Sequence, residues 1–465
     1  MPEDEMAGGG APEAGSPEAG APGRETPGAD ALGQERLGQV PPGSELPLAG
    51  IKVMDLSRAL AGPYAASLLG DMGAEVTKVE SIKGGDSSRS WAPFDGEHSL
   101  YFDSVNRGKS SVAVDFYSAA GKKLLWELAL ASDVLIENFR PGVLASTGLD
   151  PELLRAAKPG LIIASVTGFG ATGPLSQAAG LDQVAQGMSG LMSVTGLDAE
   201  HMYRVGVPIV DLVTGIYTAF GIAASLVGRK AGGAGSAVSA SLLETGLSLS
   251  AFQGQQFLST GEVPVPRGNN HPVLSPYGVF QTGDIPLIMA VGSEKQWVQL
   301  CELLGSPELA EHPDYATSRL RTAHSEELRL LIDGLLAGQT AAQWLARLKA
   351  AGIPAGPIYN YAQAFADPQV KHLAMVQTVH RSDGTVLPLL RGPVSINGRA
   401  PQVAKAPPAL GQDTLGILEG LGLSAAQIAG LVEAGVVYDA GNPAGREGTV
   451  APRGTASLGG SEHHG

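Results

Sequence analysis

LAGIKVMDLSRALAGPYAASLLGDMGAEVTKVE, residues 48–80, decides the fold. Ile51–Leu56 is a short apolar run of strand length, Gly62–Met72 carries helical spacing, and Ala74–Glu80 alternates as a second strand. The same alternation continues outward. Ser111–Asp115 reads as a strand, Ser118–Ala131 as a helix, and Asp133–Asn138 and Gly160–Thr167 as two more strands. Strands alternating with helices predict an α/β domain with a parallel, doubly wound sheet covered on both faces. A dinucleotide fingerprint requires glycines packed into the first strand–helix turn. Here that turn is Ser57-Arg58-Ala59-Leu60-Ala61-Gly62-Pro63 and lacks the triplet, so NAD is not expected. The helix start after Gly62 can still receive an anion such as a phosphate.

Farther along lies VGVPIVDLVTGIYTAFGIAASLVGRKAGGAGSAVSASLLE, residues 205–244. Asp211 opens a run of about twenty apolar and small residues, the length of a long helix. Arg229 and Lys230 close the run, where a helix end favours cations. A glycine-rich turn follows, then an alternating strand from Ala237 to Leu242. Three readings of Asp211 stand side by side: a helix-start residue that satisfies free N–H groups, part of a membrane span over 206–228, or a nucleophile in a cleft. Charge and four glycines weigh against the span. At a helix start the positive end of the dipole is expected to favour the ionised carboxylate.

Helices are expected over Gly187–Val194 and 211–228 as well. After Pro276 the pattern shifts to short strands, Tyr277–Gln281 and Leu287–Val291, then helices over 294–304, 322–337 and 340–351. That is the pattern of a smaller α+β domain. Strand-like pieces at Val376–His380 and Val386–Leu390 precede a helical stretch over 413–435. A tail over 1–45 precedes this pattern and a second tail over 441–465 follows it. Both tails are Pro-, Gly- and Ala-rich, with little to bury, and are expected to be disordered.

Net charge is −15 over 465 residues, which argues against nucleic acid as a partner. Nine acids and two arginines lie in 1–45, so the folded part is only mildly acidic. The single cysteine, Cys301, excludes an internal disulfide and a cysteine metal site. The histidines are scattered without ligand spacing, and no metal site is expected. No charged-then-apolar leader opens the sequence. With the cysteine count, this gives the expectation of a cytoplasmic protein.

Seven segments taken together resemble one family: 48–80 above, GGDSSRSW (84–91), SLYFDSVNRGKSSVAVD (99–115), DVLIENFRPG (133–142), IIASVTGFGATGP (162–174), VPIVDLVTG (207–215) and GIPAGPI (352–358). In this order they resemble the class III coenzyme A transferases, which include formyl-CoA:oxalate, carnitine and succinate–hydroxymethylglutarate enzymes. The resemblance implies a Rossmann-like large domain made of 46–228 and a return segment over 356–440, a linker and small domain over 229–355, and an interlocked-ring homodimer with the active site between domains and subunits. It also implies transfer of CoA from an acyl-CoA to a small free carboxylic acid, with no tightly bound cofactor, metal or membrane. Succinyl-CoA is the expected donor.

By this resemblance Asp211 is the nucleophile, and Gly268, Asn269 and Asn270 are the oxyanion loop. Arg58, Ala59 and Leu60 stand beside the thioester, Val114, Asp115, Phe116 and Tyr117 with Asn138, Phe139 and Arg140 along the CoA chain. Arg107 is a candidate for a phosphate or a substrate carboxylate, and Leu181 and Asp182 for the acyl pocket. Ser81 stands where relatives place a phosphate-binding arginine, so that contact is either missing or supplied by Lys83. The racemases of the same fold are an alternative, but they need a histidine where Gly180-Leu181-Asp182 has leucine, and leucine carries no proton. A CoA-binding paralogue without activity is the non-enzymatic alternative.

Overall fold

The computed structural model of the chain describes residues 46–441, so the expectations for the tails fall outside the described residues. The central sheet contains β1 (Lys52–Asp55), β2 (Glu75–Ser81), β3 (Ser110–Val114), β4 (Val134–Glu137), β5 (Ile162–Thr167), β6 (Ala237–Ser241) and β7 (Val437–Tyr438). Their spatial order is β7-β3-β2-β1-β4-β5-β6. All neighbours are parallel except β7, which runs antiparallel along β3. This is the doubly wound order in which the chain leaves β1 to one side, returns, and continues on the other. The change of direction falls between β1 and β4.

Apolar residues on both sides of the strands explain the two covering layers. One face packs α1 (Ala61–Asp71) through Ala66 and Leu69, and the long helix α5 (Ile209–Lys230) through Ile222 and Leu226. Each large aliphatic side chain buried there contributes about 1.5–3 kcal/mol. The other face packs the helix Ala119–Ala131 through Leu124, Leu125 and Leu128. The C-terminal helices Thr414–Gly420 and Ala425–Glu433 join the same core through Leu418 and Ile428. The return of the chain therefore completes this layer and supplies β7.

A second core forms around the strands Tyr277–Phe280, Leu287–Ala290 and Ala355–Pro357, with Trp297, Leu300, Leu328 and Trp344 packed from three helices. Val376–His380 and Val386–Leu390 form an antiparallel hairpin with a small core of its own, Val379, Leu387 and Leu389. Arg381 anchors it to Asp103, at 2.8 Å, and to Asp95, at 3.1 Å.

Several expected boundaries shift for local reasons. The helix expected over Gly187–Val194 begins at Asp182 and ends at Met188, because Gly190 adopts φ +82°. The stretch 413–435 divides where Gly422 adopts φ +87°. The helix expected over 322–337 is two helices, Ser318–Ala323 and Ser325–Leu336. The helices Leu242–Ser248 and Ala251–Thr260 had no expected counterpart.

Helix α5 is the one described helix long and apolar enough to cross a membrane. Its stripe Val210, Thr214, Thr218, Ile222 and Leu226 is instead buried against the sheet and α1.

Candidate active site

At the switch point the ends of β1, β4 and β5 open a cleft of about 240 Å³. Ala59 and Leu60 line it after β1, Asn138, Phe139 and Arg140 after β4, and Val166 to Gly168 at the end of β5. Gly180 and Leu181 form another wall, and Asp211 enters from α5. Gly168 and Gly180 meet backbone to backbone, and a Cβ on either would overlap the other's Cα. Helix α5 is seated as closely against α1, since a Cβ on Gly215 would stand 2.7 Å from the Ala61 carbonyl oxygen. That contact lies one turn beyond Asp211.

Asp211 is the third residue of α5 and the only acid lining the cleft among the described residues; Arg140 is the only base. It does not cap its own helix. Asp182 does so instead: its Oδ1 accepts from the N–H of Val210 at 2.9 Å and of Asp211 at 3.3 Å. The other Asp182 oxygen accepts from Gln186 Nε2 at 2.6 Å, and Gln186 Oε1 accepts from Val205 N at 2.9 Å. Asp182 is thus a cap and brace for the nucleophile's helix, absent from the cleft lining, while Leu181 beside it is 65% exposed there. The expectation that the helix end keeps Asp211 ionised is overturned. Burial first, and the Asp182 carboxylate second, raise its carboxyl to about 7.

This geometry makes a prediction for pH. The ionised fraction of Asp211 grows as pH rises through about 7, so kcat/KM of the free enzyme should climb through that region and level off above it. Asp182→Asn keeps an oxygen for the two helix N–H groups but removes the repelling charge. The midpoint of its profile should move to lower pH. An unchanged midpoint would show that Asp182 does not act on Asp211 electrostatically.

The remaining expected residues divide into two groups. Arg58 is exposed beside the cleft, its guanidinium 5.1 Å from the centre of the Phe139 ring. Tyr117 is 70% exposed, with Lys83 Nζ 5.9 Å from its ring, so both are open to solution. Val114 and Phe116 are buried in the core, leaving only their backbone for a ligand, and Asp115 accepts from Tyr117 N at 3.1 Å.

Arg107 is a correction. It is 5% exposed and held by Asp71 through Nε at 3.2 Å and Nη2 at 2.5 Å, which commits it to an internal ion pair. Gly268, Asn269 and Asn270 lie in a turn whose Gly268 N–H donates to the Gly196 carbonyl at 2.8 Å. None of the three lines the cleft, so their oxyanion role has no support within the single chain.

Sequence reading missed Tyr101. Its ring meets Trp91 edge to face at 5.0 Å, and its hydroxyl is pushed up to about 12 by burial, then by Asp211, Asp182 and Asp86. It lies in the quoted segment 99–115, but nothing local marks it. The described residues contain no cluster of His, Cys, Asp and Glu able to hold a metal ion.

An α/β sheet with a carboxylate at its switch point defines a class, and comparison gives it a family. The chain belongs to CoA-transferase family III, which it matches over residues 48–414. Among similar proteins, the succinate–glutarate CoA-transferase of Agrobacterium fabrum is 39% identical over 384 residues, 81% of this chain and 96% of that one. The human succinyl-CoA:glutarate CoA-transferase is 38% identical over 400 residues, 84% of this chain and 90% of that one. The crystal structure of a CaiB/BaiF family protein from Brucella suis superposes with a TM-score of 0.73 at 37% identity, over 81% of this chain and all of that one. The chain is therefore a CoA-transferase, acting on acyl-CoA and a carboxylate. The two relatives named are transferases, which weighs against the racemase alternative.

Proposed function

We propose that the chain moves CoA from succinyl-CoA to glutarate or a similar dicarboxylate through Asp211. Its place as the sole acid in the cleft carries this reading. The Asp211 carboxylate attacks the thioester carbonyl, forming a mixed anhydride and releasing CoA thiolate. The thiolate attacks the aspartyl carbonyl, freeing succinate and leaving an aspartyl-CoA thioester. The acceptor carboxylate then attacks that thioester, and the returning thiolate takes the acceptor's acyl group and restores Asp211. Burial and Asp182 penalise only the ionised aspartate. Acylation removes that charge, so the same environment favours the covalent states. In this reading the backbone of Asn138, Phe139 and Arg140, with Arg58, receives the CoA chain, and no bound cofactor or metal is needed.

We also read the protein as a cytoplasmic homodimer. The face of α5 away from the sheet exposes Ile216, Phe220 and Val227, and the helix Ala251–Thr260 exposes Phe252, Phe257 and Leu258. Apolar surface of this kind is what an obligate partner covers. Cys301 is buried and free.

Succinyl-CoA incubated with glutarate and a panel of other dicarboxylic acids should yield glutaryl-CoA, identified by mass. Hydroxylamine added during turnover should inactivate the enzyme by trapping the acylated carboxylate. Formation of no new thioester with any acid of the panel would overturn the substrate reading.

A further inference from the structure

The segment Ser57-Arg58-Ala59, which leads into the cleft wall at Ala59 and Leu60, is held by side chains at five backbone polar groups. Ser57 N donates to Asp55 Oδ1 at 3.0 Å, and the Ser57 carbonyl accepts from Lys78 Nζ at 2.9 Å. Asn138 takes both groups of Arg58: its Oδ1 accepts from Arg58 N at 2.9 Å, and its Nδ2 donates to the Arg58 carbonyl at 2.7 Å. Asp86 Oδ1 accepts from Ala59 N at 3.1 Å. Asp86 is itself 1% exposed, fixed by Ser88 N and Oγ and by Lys78 Nζ at 3.0 Å. Of these side chains Asp86 alone bonds Ala59, which adopts φ +66°, while Lys78 and Asn138 fix the two residues before it. A residue with a Cβ resists that conformation, and such strain persists only where surrounding contacts overdetermine it.

Nothing in local turn chemistry requires the strain, since glycine would take this conformation freely. What the clamp secures is the position of a wall that Ala59 and Leu60 share with Asp211. We propose that Asp86, seated by Lys78, and Asn138 are positioning residues of CoA transfer, holding Ala59 in its left-handed conformation as the cleft wall beside Asp211. The inference rests on Asp211-dependent transfer in this cleft. None of the three touches the reacting atoms through its own side-chain chemistry; each acts through the 57–60 backbone.

The test is a comparison of Asp86→Ala with Asp86→Ala/Ala59→Gly. Without the acceptor, Ala59 relaxes and the wall moves; a displacement near 1 Å can cost on the order of a hundredfold in rate. For the single variant kcat should fall by about tenfold or more, while KM for succinyl-CoA moves by less than about threefold. Glycine holds the conformation without a clamp, so the double variant should recover at least about half of the lost log rate. A folded Asp86→Ala enzyme with wild-type kcat overturns the inference, and so does a double variant no faster than the single one. If Asp86→Ala does not fold, Asn138→Ala with and without Ala59→Gly decides the question by the same criteria from the half-buried arm of the clamp. A wild type that transfers CoA to no acid overturns the functional reading and this inference with it. An active wild type with indifferent variants overturns the inference alone.

Discussion

Asp211→Asn is expected to abolish CoA transfer while leaving the fold and the binding of CoA intact. An amide does not form the anhydride on which the first exchange depends, and among the described residues no other acid lines the cleft to take over. Measured as new thioester per minute, the variant should show no exchange above background, and hydroxylamine should have no further effect on it. The substitution should also act on stability, in the opposite direction. The folded carboxyl titrates near 7, well above its ordinary range, so the native state retains the proton more strongly than the unfolded chain. Wild-type stability from this group is therefore full in acid and declines as pH rises from about 4 toward 7. Asparagine carries no charge to penalise. Asp211→Asn should exceed the wild type in thermal midpoint at pH 8 and match it more closely at pH 5. Full transfer activity in the variant would remove the mechanism; an unaltered midpoint difference between the two pH values would remove the electrostatic account.

The parts of this molecule that were legible in its sequence are those set by neighbours along the chain. The strand–helix–strand unit over 48–80 follows from local periodicity, and β1, α1 and β2 lie where that periodicity puts them. The place of Asp211 at the start of a long helix is equally local. What the sequence hides is partnership at a distance. Arg107 resembles a free cation because its partner, Asp71, lies 36 residues away at the end of α1. Asp182 caps a helix that begins beyond two further turns, so only the folded chain shows which N–H groups it receives. The switch point itself depends on the spatial order of strands, which no single segment encodes. Arg58, Asn138 and Asp86 illustrate the limit: each can be noted as polar, but the clamp exists only when three separate loops meet.

Beneath the cleft, the largest expected loss of stability belongs to Asp55. It lies at the end of β1, fully buried, with Lys109 Nζ at 2.8 Å and Lys78 Nζ at 3.9 Å from the same oxygen. Burial alone would raise its carboxyl; the two ammonium groups outweigh that and hold it low. Lys109 pays the other side of the arrangement. Burial depresses it to about 8 against the pull of Asp55, with Lys78 adding repulsion. Lys109 also donates to the Pro63 carbonyl and to Asn106 Oδ1, each at 2.8 Å, so it ties the start of α1 to the segment before β3. Asp55→Asn preserves volume but removes the counter-charge the two buried ammonium groups share most closely, leaving Asp86 and, for Lys78, Glu80. Removing one partner of such a buried set costs about 3–5 kcal/mol, whereas removing charges together costs far less. Chemical denaturation of Asp55→Asn should register a loss of that size, and Asp55→Asn/Lys109→Met should recover most of it. Because Ser57 N and Oγ also rest on Asp55, the single variant should lose transfer activity along with stability. A loss below about 1 kcal/mol would show that the ion set is compensated by water or by proton release from Lys109, and the floor of the cleft would then have to be held by apolar packing alone.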